Sequence, residues 1–116
     1  MDSDIFISEI LEEQIFRFNS TKNYLVTRES SRLEFKENFN FAEIAEYLRD
    51  FAALANNCGG YIVFGVCDSP HILEGINGLS FDKIDEEKIT GFVNEFFAPT
   101  IEWQKKVVEV RGKQIG

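Results

Sequence analysis

Cysteine, proline and histidine are scarce in this chain of 116 residues, which has two Cys, two Pro and a single His. Two cysteines, Cys58 and Cys67, are too few for a disulfide scaffold and read as reduced thiols of a cytoplasmic protein. Cys58, Cys67 and His71 lack the pair spacing of a zinc site, so they read as small buried hydrophobes and a loop imidazole. With so little proline the chain is no linker. No apolar run approaches the roughly 20 residues that a bilayer span needs; the strongest is Tyr61 to Cys67. The start, Met1-Asp2-Ser3-Asp4, has neither the basic nor the apolar region of a signal peptide. The G-x-x-x-x-G-K-[ST] and G-x-G-x-x-G phosphate cradles are missing, so no nucleotide motif is seen, and no G-x-S-x-G elbow supplies a serine nucleophile.

What is present is globular: 44% hydrophobic residues, 14% aromatic and twelve Phe. A chain of this size buries about two-thirds of its unfolded surface and needs no metal to fold. The formal charge is −8. That excludes a bare electrostatic DNA wrapper, whose affinity comes from many Lys and Arg on phosphates.

The pattern predicts an amphipathic helix over 4–18, with Ile7, Ile10, Leu11, Ile15 and Phe18 on one face and Asp2, Ser3 or Asp4 as cap. This stripe docks on the domain or seeks a partner chain, docking being the simpler use. Residues 1–20 are thus an N-terminal extension and 21–116 a single domain. Arg32-Leu33-Glu34-Phe35-Lys36 alternates as a strand with one solvated face. Asn40 caps a helix whose stripe is Phe41, Ile44, Ala45, Leu48, Phe51 or Ala52, and Ala55. Gly59-Gly60 stops it, because glycine takes positive φ without penalty. Tyr61 to Val66 is apolar on both faces, as a central strand is. A third helix starts at Ser80 or Asp82, places Ile89, Phe92, Val93, Phe96 and Phe97 in the core, and stops at Pro99. Ile101 to Val110 alternates as a strand, with Trp103 packed inward. Arg111-Gly112 is a hairpin turn, and Lys113 opens a returning strand that the chain leaves unfinished, as a fragment of a longer protein would. The fold class is α+β, with a mixed β-α-β-α-β-β sheet, helices on one face and a preceding N-terminal helix.

Among twenty acids, Glu29, Glu34 and Asp68 flank the first strand and the end of the buried one. Carboxylates gathered there would repel one another unless a divalent cation lay between them, which is the apparatus of phosphodiester hydrolysis. Solvated surface acids are the plainer reading.

The run Glu29-Ser30-Ser31-Arg32-Leu33-Glu34-Phe35-Lys36 resembles the E-S-x-x-x-E-F-K signature of the Schlafen-type Alba-like domain. Phe51-Ala52-Ala53-Leu54-Ala55-Asn56 followed by Gly59-Gly60-Tyr61-Ile62-Val63-Phe64-Gly65-Val66-Cys67-Asp68 resembles the family's second signature, and Gly75-Ile76 its short motif after the loop. The resemblance implies an Alba-like fold over about 25–116. It also implies a DNA- or RNA-binding module of a bacterial transcriptional-regulator-like or defence protein. Some Schlafen proteins are metal-dependent endoribonucleases that cut structured RNA with three acids. Carried over, Glu29, Glu34 and Asp68 become catalytic Mn²⁺ or Mg²⁺ ligands, with Lys36 on phosphate. Cys67 departs from the family, where many relatives carry Asp. Schlafen nucleases use a duplicated core, which a single copy of this length could match only by dimerising, so the resemblance implies a homodimer.

Charge is unevenly spread. Residues 21–40 carry four bases and three acids and residues 101–116 four bases and two acids, while the remainder sums to −11. The candidate nucleic-acid contacts are therefore Arg28, Arg32, Lys36, Lys105, Lys106 and Arg111, with Lys113 beside them, on the first strand and last hairpin. Two alternatives stay open: strand-edge charges that deter aggregation, and a protein-interaction module whose acidic helices bind a partner.

Overall fold

The computed structural model describes residues 4–21, 24–68 and 70–116. The caps expected at Asp2 or Ser3 lie outside them, as do Lys22, Asn23 and Ser69. Strand β1, Leu33–Lys36, alternates as its sequence dictates, with Leu33 and Phe35 buried. It runs parallel to β2, Tyr61–Phe64, with Leu33 opposite Tyr61 and Lys36 opposite Phe64. A parallel pair needs a crossover, supplied here by helix α2, Ile44–Asn56. The Asn40 side chain accepts the Ala42 N–H at 3.0 Å, opening a short 3-10 turn, Phe41–Glu43, that leads into α2. The face that α2 buries is turned from the expected stripe: Tyr47 and Leu54 are its buried residues, while Ala45 and Ala55 are exposed. Tyr47 wins that position because its ring meets Phe39 and Phe64 and its hydroxyl accepts the Asn40 N–H at 3.0 Å.

Helix α2 ends in a Schellman arrangement. The Gly59 N–H reaches the Leu54 carbonyl at 2.7 Å and the Cys58 N–H reaches the Ala55 carbonyl at 3.2 Å. Exposed Cys58 takes the left-handed position, φ 70°, so it is not the small buried hydrophobe expected. Gly60 is required for another reason, since any Cβ there would strike the Arg32 carbonyl at the entry to β1.

The expected third helix is two. Asn77 caps α3, Gly78–Asp82, and Asp85 caps α4, Glu86–Phe96. Ile89 and Val93 of α4 are buried, but Phe96 is exposed rather than in the core. Residues 101–107 alternate in burial without a strand partner, so the expected long strand shrinks to β3, Val108–Val110. Their inward side chains answer to helices instead: the Trp103 indole N–H donates to Thr90 Oγ1 at 3.1 Å and its ring lies beside Phe51. Arg111 and Gly112, both at positive φ, turn β3 into antiparallel β4, Lys113–Ile115.

The strands form two two-stranded sheets, not one continuous mixed sheet. A single rung joins them: Phe64 and Gly116 exchange both backbone hydrogen bonds, at 2.8 and 3.0 Å. Helices also occupy both faces. Tyr47 of α2 and Phe81 of α3 pack with Phe64 on one side. On the other, Leu33, Phe35, Val63 and Ile115 pack with Leu11 and Ile15. Those two come from the N-terminal segment, whose α1 spans only Ser8–Gln14. The helix stops early because the following backbone bonds elsewhere, with the Val26 N–H donating to the Arg17 carbonyl and Phe18 bridging Leu25. No helix among the described residues is long and apolar enough to cross a membrane.

Candidate functional site

β1 is bonded to β2 along one edge only, and its other edge exposes the Phe35 N–H. The Glu29 carboxylate accepts that N–H at 3.0 Å, an acceptor for a donor that the sheet leaves unpaired. Glu34, one residue back on the strand, faces α2 and meets Glu29. Burial, then the charges of Glu29 and Asp50, raise its carboxyl above the ordinary range, while Lys36 opposes them.

Lys36 sits inside this acidic patch. Its ammonium is 2.5 Å from Glu46 Oε2, 3.2 Å from Asp50 Oδ2 and 3.7 Å from Glu34 Oε2, and its side chain is only 14% exposed. Burial works against the charge, but the hydrogen bond to Glu46 and the Asp50 carboxylate outweigh it and lift Lys36 above the ordinary lysine range. The same bond lowers Glu46. Asp50 Oδ2 is itself buried, and its contact with Lys36 is ionic, outside good hydrogen-bond alignment.

Asp68 stands elsewhere. Its side chain is 82% exposed and its Oδ1 lies 3.5 Å from His71 Nε2. The His71 ring lies against Phe35, 4.7 Å between centroids, on the face of β1 opposite Glu34. The structure thus joins Glu29 with Glu34 and adds Glu46 and Asp50, but leaves Asp68 apart. Among the described residues no three His, Cys, Asp or Glu side chains are disposed to hold a metal ion. Of the three acids, Glu29 is engaged through one oxygen by a backbone N–H, Glu34 faces an ammonium, and Asp68 pairs with His71.

The candidate cations divide likewise. The Lys105 side chain is 6% exposed and donates to the Phe81 and Asp82 carbonyls at 3.1 and 3.0 Å, closing the end of α3. It and Lys36 are therefore tied within the fold. Arg28, Arg32, Lys106, Arg111 and Lys113 are exposed. Arg111 stacks on Phe18, its guanidinium carbon 3.6 Å from the ring centroid, and the Arg32 Nε–H donates to the Gly59 carbonyl at 3.3 Å. One further cation was not among the sequence candidates. Arg17 joins Arg28 and Arg32 along a groove of about 750 Å³ at the start of β1. Only pairing between residues 15–18 and 25–27 brings it there, which no local pattern reveals.

A parallel β-α-β unit carrying both quoted signatures in order places the chain in a class of small α+β domains. The chain belongs to the Schlafen, AlbA_2 family, whose model matches residues 29–116. It is similar to a protein of Ureaplasma parvum serovar 3 described as an uncharacterized ATP-binding protein, with 40% identity over 91 residues. Those residues are 78% of this chain and 26% of the relative, so the chain spans about a quarter of that protein's length. No solved structure matches the chain.

Proposed function

We propose that the chain is a nucleic-acid-binding module, for DNA or structured RNA, of a bacterial transcriptional-regulator-like or defence protein. One observation carries the reading beyond family membership. In a chain of charge −8, Arg28 and Arg32 are exposed beside the start of β1, Lys106 just before β3, and Arg111 and Lys113 on the β3–β4 hairpin. Guanidinium and ammonium groups so placed can neutralise phosphates.

Fluorescence anisotropy of a labelled RNA hairpin, and of a DNA duplex of the same sequence, tests it across a salt series. Binding should weaken linearly in log–log form, and Arg32→Glu with Arg111→Glu should flatten the slope by roughly one unit per lost contact. Lys83→Glu with Lys88→Glu should leave the slope alone; equal losses would reduce the effect to net charge. Wild-type protein that binds neither nucleic acid at low salt overturns the reading. A Mn²⁺ arm addresses hydrolysis: with the acids arranged as above, intact RNA is expected. Cleavage that Glu34→Gln abolishes would restore the nuclease assignment. A homodimer belongs to the same proposal, and sedimentation equilibrium showing only monomer at high concentration would remove it.

A further inference from the structure

We infer that the groove at the start of β1 holds a stretch of the phosphodiester backbone of a nucleic acid, with Arg17 as one of its contacts. This rests on the nucleic-acid reading and deepens it by naming a surface. Glu13, Arg17, Arg28, Glu29, Arg32 and Tyr61 line the groove.

The backbone beneath Arg17 and Arg32 is held. Thr27, buried, donates through Oγ1 to the Ile15 carbonyl at 2.5 Å and accepts the Arg17 N–H at 3.3 Å. The Val26 N–H donates to the Arg17 carbonyl at 2.8 Å. These bonds align the segment after α1 with the segment that enters Arg28. Arg32 is fixed by its N–H on Ser30 Oγ at 3.1 Å and by its side-chain bond to Gly59. A held backbone leaves side-chain order as what binding must still supply, which lowers its entropic cost.

The charges suit a phosphate. Three guanidiniums face two carboxylates, and the Glu29 carboxylate already accepts the Phe35 N–H. The groove is a cationic spot on an anionic chain, which favours a phosphate there. All three cations are arginine, whose planar fork bonds phosphate oxygens in pairs. Arg17 and Arg28 precede residue 29, where the family match begins, so the preceding segment supplies two of the three.

The test uses the full chain and a labelled RNA hairpin with its DNA counterpart, read by anisotropy from 50 to 300 mM salt. Arg17→Glu and Arg28→Glu should each weaken binding about tenfold and lower the salt slope by about one. Arg17→Lys should restore most of the slope, and Glu13→Gln should tighten binding severalfold. Unchanged thermal melts for these exposed positions keep misfolding out of the reading. If Arg17→Glu binds as wild type while Arg111→Glu with Lys113→Glu does not, the groove is wrong and the nucleic-acid reading stands. If wild type binds no nucleic acid, both fall. ATP that competes at the same concentration as RNA, and is lost in Arg17→Glu, would overturn the polynucleotide assignment in favour of a mononucleotide.

Discussion

Lys36 of β1 and Asp50 of α2 meet with 3.2 Å between Nζ and Oδ2, at a point where Glu34 and Glu46 also converge on the ammonium. The sequence signature places this lysine where a phosphate ligand is expected; the fold surrounds it with carboxylates. Strand and helix are therefore fastened by charge as well as by apolar contact.

Lys36→Met removes the centre of that cluster and leaves Asp50 Oδ2 buried opposite no cation. A fully buried pair broken this way costs about 3–5 kcal/mol, and partial solvent contact reduces that to about 2 kcal/mol. Urea unfolding should register this loss, while RNA affinity, corrected for folded fraction, stays unchanged. Because the folded state raises the Lys36 pKa, its stabilisation is complete below the ordinary lysine value of about 10.4 and fades only as pH climbs through the raised one.

Glu34 works in the opposite sense at neutral pH. Burial, Glu29 and Asp50 raise its pKa, so the folded state binds its proton more tightly than the unfolded chain does. Its favourable contribution is present below about pH 4.3, the ordinary glutamate value, and is lost as pH rises through the raised pKa. Glu34→Gln should accordingly raise the urea midpoint at pH 7 and converge with wild type near pH 3. Equal midpoints at both pH values would contradict the crowding of charge described here.

Two substitutions at the end of α2 should have opposite signs. Cys58→Gly relieves a left-handed residue that carries a Cβ and should stabilise by about 0.5–1 kcal/mol. Gly60→Ala drives a Cβ onto the Arg32 carbonyl and should destabilise by about 2 kcal/mol or more. Thermal melts of the pair decide.

Lys105 and Lys106 are neighbours in sequence with different work. Lys105→Met removes two hydrogen bonds to the last carbonyls of α3 and should lower stability by about 1 kcal/mol without altering the salt slope of binding. Lys106→Glu should do the reverse.

What could be read in advance was local. The β1 alternation, the Asn40 cap and the Arg111-Gly112 turn depend on residues within a few positions, and each stands where periodicity and turn chemistry put it. The rest depended on distant partners. Tyr47 outcompetes Ala45 for the core because Phe39 and Phe64 converge on it. The break at Lys83 is stabilised by Lys105, more than twenty positions on. In the candidate site, the meeting of Glu29 and Glu34 was expected from the two signatures together, spacing alone being a weak guide among twenty acids. Lys36 among Glu46 and Asp50, Asp68 on His71, and Arg17 beside Arg28 were not, since tertiary packing alone creates those neighbours.

Leu11 and Ile15 make the folded unit longer than the matched family segment. They cover the face of β1 and β2 that α2 does not reach, yet they precede the first matched residue. What evolution transmits as a recognisable signature and what water requires as a closed unit are different lengths of chain. A fragment cut at residue 29 would carry both motifs intact and present Leu33, Phe35 and Val63 to solvent, a sticky half-covered sheet in place of a closed core.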